Sequence, residues 1–114
     1  MDERVDRLLI IIADDADAGA LMEELARADL ASTKIGSTGG FLRRGNSTVL
    51  CGLPHGRVET ALGVVRRTCT ARTELVPVQS LPVALEPVPT TELIPVRAGG
   101  AVVFVLEVER FEKS

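Results

Sequence analysis

The chain has 114 residues, room for one domain with a single core. Its 46% hydrophobic content is carried by Val, Leu, Ile and Ala, with three Phe and neither Trp nor Tyr, which excludes a disordered chain. The net charge of −3 leaves no basic stripe for nucleic acid, so DNA and RNA are excluded as expected partners.

The first element is the β-branched run 7–13, RLLIIIA, which reads as a central strand buried on both faces. It is too short to span a membrane, no leader-cleavage pattern follows it, and membrane insertion is not expected. Asp14, Asp15 and Asp17 come next. Three clustered carboxylates invite a metal reading, but acidic residues are favoured at a helix N-terminus, by capping and by the dipole. No metal site is therefore assigned. The helix is expected over 16–29, with Leu21, Met22, Leu25 and Ala28 as one apolar stripe.

A second strand is expected over 31–36, followed by a glycine-rich stretch. Between Ser37 and Thr48 lie three glycines, Phe41, Arg43, Arg44, Asn46 and four hydroxyls. Glycine allows close backbone approach to a ligand, and hydroxyls with free N–H groups can hold phosphate. A third strand is expected over 47–53, antiparallel to the second, and Pro54-His55-Gly56 makes a turn. His55, the lone histidine, reads as an exposed loop residue without a catalytic or metal partner. No enzyme activity is expected.

The second amphipathic helix is expected over 57–70, with Val58, Ala61, Leu62, Val65 and Cys69 inward. Gly63 in its middle suits close packing at a cost of about 1 kcal/mol. Cys51 and Cys69, the two cysteines, have apolar surroundings and read as buried and reduced, in keeping with a cytoplasmic location. A fourth, short strand is expected over 75–78. Five of the six prolines then fall at 77, 82, 87, 89 and 95. Proline removes donors and fixes φ, so 79–95 reads as an extended, poorly paired excursion. Its Leu81, Val83, Leu85 and Val88 are too apolar for a free linker and point to an oligomer. The last strand is expected over 101–108. Together these elements give an α+β, ferredoxin-like βαββαβ sandwich with an added short strand and long loops. One face of such a sheet needs cover, which self-association can supply.

The run Thr38-Gly39-Gly40-Phe41-Leu42-Arg43, then Gly45-Asn46, resembles the T-loop signature of the PII-like cyclic-di-AMP receptor family. The acidic turn 13–17, Thr33-Lys34, Cys51-Gly52, Arg57-Val58, Thr68-Cys69, Arg72, Glu74-Leu75-Val76, Gly99-Gly100-Ala101, Val103-Phe104-Val105 and Phe111 extend the resemblance along nearly the whole chain. It implies a single PII-like domain over 1–114, with a T-loop at 37–47 and a B-loop-like Pro-rich excursion at 77–97. It further implies a homotrimeric signal transduction protein that binds cyclic-di-AMP between subunits, rearranges its loops and addresses a downstream protein.

Carried over position by position, the resemblance implies ligand contacts at Thr33, Gly40, Phe41, Leu42, Asn46, Gly52 and Phe104. Phe41 offers a face on which an adenine can stack. Asn46 can match the paired donor and acceptor on adenine's edge. Thr33 can bond a phosphate oxygen, the backbone of 40–42 can reach base or phosphate, and Gly52 clears space. Arg43, Arg44 and Lys113 would attract an anionic ligand. Blander roles compete: an interface anchor for Phe41, core for Phe104, a plain turn for Asn46.

Several positions depart from the family pattern. Ala31 stands where an arginine is common, Asp29 where asparagine is, Lys113 where glutamine is, and 81–89 lacks the usual glycine turn. Two other readings therefore stay open: a sensor of another adenine nucleotide such as ATP or AMP, and a trimeric adaptor that senses no nucleotide.

Overall fold

Alternation along the central strand builds the architecture. In β1 (Arg7–Asp14), Leu9, Ile11 and Ala13 point to one face and are 0, 0 and 1% exposed. The computed structural model describes residues 4–38, 45–77 and 93–114. Antiparallel neighbours flank β1: β3 (Asn46–Leu53), with Leu9 opposite Cys51 and Ile11 opposite Val49, and β6 (Ala101–Glu107), with Ile10 opposite Phe104. The second strand, β2 (Thr33–Thr38), pairs with the outer side of β3, giving a four-stranded sheet of order β2-β3-β1-β6. That antiparallel order, with two helices on one face, is the ferredoxin-like fold. The register slips between Lys34 and Gly36, leaving Ile35 as a bulge that is 58% exposed.

Helices α1 (Asp15–Arg27) and α2 (Val58–Thr68) cover the face that carries Leu9 and Ile11. Leu21 and Leu25 from α1 and Ala61, Val64, Val65 and Cys69 from α2 and its end complete the core. Met22, Ala28, Val58 and Leu62 pack at its margin. The expected stripes thus hold, with Val64 buried in addition. Asp14 caps α1: its Oδ1 accepts the Ala16 N–H at 2.8 Å, which is the capping role expected of the acidic turn. At the other end Asp29 sits at φ 61. Its N–H reaches Ala26 O at 3.0 Å and that of Leu30 reaches Leu25 O at 2.9 Å, the paired bonds of a Schellman stop. Asp29 is therefore the left-handed cap of α1. A short 3-10 turn, His55–Arg57, precedes α2. Gly63 is not crowded: a Cβ there would meet only the Arg67 guanidinium, at 3.7 Å.

Two expectations are corrected. The central strand is not covered on both faces, because Leu8, Ile10 and Ile12 are only half-buried. Their neighbours Val102, Phe104 and Leu106 are 53, 52 and 41% exposed. The second correction concerns the excursion at 77–97. Its far end is a strand, β5 (Leu93–Ala98), paired antiparallel with β4 (Arg72–Pro77) in a separate ribbon. Leu75 faces Pro95 and Pro77 faces Leu93. A proline survives in a ribbon only where its missing N–H points away from the partner strand, so both prolines line outer rims. Residues 78–92 lie outside those described.

Candidate functional site

The glycine-rich stretch stands on the paired ends of β2 and β3, where Thr38 lies opposite Asn46. Of the expected ligand contacts, Gly40, Phe41 and Leu42, together with Arg43 and Arg44, lie outside the described residues. Asn46 opens β3 and is exposed, with Asp14 opposite it on β1. The residues on either side of Asn46 are pinned. Gly45 O accepts the Asp15 N–H at 2.9 Å. The Ser47 hydroxyl, fully buried, donates to Asp15 Oδ1. Asn46 is thus a solvent-facing amide between two fixed neighbours.

Thr33, Asn46, Gly52 and Phe104 all share the sheet face that the helices leave open, because each lies opposite, or two or four residues from, a residue of that face. The sheet does not bring them together within one copy. Phe104, Ile10, Leu50 and Thr33 form a row across the four strands. At the usual strand spacing that row puts about 14 Å between its ends. Thr33 is at the β2 edge and Phe104 at the β6 edge, each exposed. Phe104 is therefore not a core residue. Over Gly52 the space is partly taken, since a Cβ there would lie 3.2 Å from Val5 Cγ1. Lys113 is exposed in the C-terminal tail, and Ala31 is exposed just before β2.

The open face divides into two halves. Toward β2 and β3 it carries Thr33, Thr48 and Asn46, with Gly36 opposite Thr48 and a single large apolar side chain, Leu50, beside Thr33. Toward β1 and β6 it carries the apolar side chains Leu8, Ile10, Ile12, Val102, Phe104 and Leu106. A polar strip beside an apolar field of this kind suits a ligand with a flat heterocycle and charged groups, seated where another surface meets the strip.

Neither cysteine belongs to such a site. Cys51 and Cys69 are free and buried, and burial pushes both thiols above their ordinary range. His55 has a partner that the sequence did not reveal. Asp6 accepts its backbone N–H at 2.7 Å and lies 2.8 Å from its Nδ1. The side-chain bond from His55 holds the half-buried Asp6 carboxyl below the usual carboxylate range. The pair lies beside a cleft of about 550 Å³ between residues 4–6 and 108–111. Val5 likewise had no role in the sequence reading, whereas Asp15 entered it only as part of the acidic turn and Ser47 only as one of the loop's hydroxyls. The acidic turn was visible, but not its bond to the foot of the loop.

No helix among the described residues is long and apolar enough to cross a membrane. Residues 6–114 match the sequence model of a family described as cyclic-di-AMP receptor. Among solved structures, the chain is similar to a functionally unknown protein from Pediococcus pentosaceus ATCC 25745. The TM-score is 0.72 with 32% sequence identity, over 96% of this chain and 98% of that one.

Proposed function

Since the chain belongs to the cyclic-di-AMP receptor family, we propose that it is a cytoplasmic signal transduction protein. It binds cyclic-di-AMP between subunits of a homotrimer and passes the signal on through its loops to a downstream protein. The observation that carries this reading is the position of Thr33 and Phe104 at opposite edges of one open face. A pocket that uses both must draw on two copies, and the half-exposed apolar field around Phe104 gives those copies a surface to share.

In this pocket Phe41 stacks on an adenine and Asn46 reads its edge with donor and acceptor. Thr33 bonds a phosphate oxygen, and the backbone of Gly40 and Leu42 approaches the ligand without a competing side chain. Val5 must swing aside for a base to lie over Gly52, a small movement for the end of a side chain. Arg43, Arg44 and Lys113 act at longer range on the ligand's charge. Calorimetry with the purified protein and cyclic-di-AMP tests the reading: saturable heat is expected, and none at high ligand concentration would overturn it. Phe41→Ala is expected to weaken binding more than Arg44→Ala does.

Ala31 favours a second reading, a sensor of another adenine nucleotide such as ATP or AMP. It is exposed two residues before Thr33, where an arginine would otherwise meet base or phosphate. A thermal-shift panel of nucleotides separates the two, since only a ligand of the folded state raises the melting temperature. An adaptor that senses no nucleotide would leave the whole panel flat.

A further inference from the structure

Two parts of the chain have their feet at one end of the sheet. The β2–β3 connection stands on Gly45, Asn46 and Ser47, and the ribbon stands on Arg72 and Gly99. The first turn of α1 lies between these feet and bonds to both. On the loop side, Asp15 donates its N–H to Gly45 O at 2.9 Å and accepts the Ser47 hydroxyl. On the ribbon side, Asp14 Oδ2 accepts the Gly99 N–H at 3.4 Å. Arg72 Nη1 lies 3.3 Å from Asp17 Oδ2 and donates to Thr70 O at 3.0 Å. Arg72 Nε donates to Glu74 Oε1 at 2.9 Å.

This crossing is tight. Gly99 has φ +73, and a Cβ on it would lie 2.2 Å from Thr70 O and 2.4 Å from Arg72 Nη1. Only glycine fits there. The Asp17 side chain is 12% exposed, so its pairing with Arg72 is less screened than a surface ion pair. Asp14 is the N-cap of α1, and Asp15 and Asp17 lie in its first turn. A shift imposed at either foot must therefore be absorbed by, or passed to, the other.

We infer that the foot of the candidate ligand loop and the β4–β5 ribbon are coupled through this turn, with Asp17 and Arg72 as the positioning pair on the ribbon side. A ligand held at Asn46 stiffens the turn, and the turn stiffens the ribbon. The inference rests on the cyclic-di-AMP reading of the site. Coupling of binding is reciprocal, so loosening the ribbon must weaken ligand binding although Arg72 is not among the ligand contacts.

Hydrogen exchange on the full chain, with and without cyclic-di-AMP, tests it. In the wild type the ligand is expected to slow exchange at 45–50 and also in both ribbon strands, 72–77 and 93–98. In Asp17→Asn the response at 45–50 remains, the ribbon response is lost, and affinity falls roughly 3- to 10-fold. Arg72→Lys, which keeps the charge but not the fork, gives an intermediate loss. A melting curve within a few degrees of wild type separates this from general unfolding. Should Asp17→Asn fail to fold, the wild-type exchange alone still decides. Protection at 45–50 with an unmoved ribbon overturns the coupling and leaves the binding reading intact. An absence of binding overturns both.

Discussion

The two faces of the sheet are built from nearly the same residues and meet different fates. On β1, Leu9 and Ile11 are fully buried beneath the helices. Leu8, Ile10 and Ile12 on the same strand are half-covered, and Phe104 beside them is 52% exposed. Among the described residues the two α-helices both lie on one side. Apolar content in a central strand thus records the total need for cover, including cover that the described helices do not provide.

Cutting into each face should have different consequences. Leu21→Ala, on the helix side, is expected to cost about 2–5 kcal/mol of folding stability, read as a shift of the urea midpoint. Phe104→Ser should act on assembly instead. The expected effect is a roughly 10- to 30-fold weaker self-association, about 1.4–2 kcal/mol, measured by light scattering on dilution. If Phe104→Ser at high dilution loses as much folding stability as Leu21→Ala, the distinction between the faces fails. A smaller change sharpens the covered side. Gly63→Ala has room for its methyl group and should add up to about 1 kcal/mol to the helix that forms the cover.

The smallest effect concerns Asp6, whose carboxyl His55 holds below its ordinary value of 3.8. A lowered carboxyl contributes stability above its unfolded value and loses that contribution as pH falls through the lowered one. Wild type should exceed Asp6→Asn at neutral pH, with the gap closing in acid. A gap that widens in acid would contradict the assignment of that bond.

Much of this was legible along the chain, for reasons that can be named. The stripe Leu21–Leu25 and the cap at Asp14 are local, and local patterns survive without knowledge of the fold. Strand β5 was hidden because Pro95 reads as a breaker. It is harmless only in a register that turns its missing donor outward, and register is not local. The contact between Asp6 and His55 spans 49 positions, and the one between Ser47 and Asp15 spans 32. No periodicity reports such pairs. Thr33, Asn46, Gly52 and Phe104 were named through a family resemblance, not through spacing. Their common face became visible only once the pairing of β1 with β3 and β6 was known.

The rims of the strands carry a different consequence. Pro77 and Pro95 stopper the ribbon, while Lys34 and the bulge at Ile35 interrupt β2. Strand β6, AVVFVLE, has no proline, bulge or charge before Glu107, and among the described residues nothing pairs with its outer side. Such a rim is a template on which another chain can add as a strand. Overproduction, which crowds such rims together, should send this protein into inclusion bodies, and Val105→Lys is the change expected to keep it out.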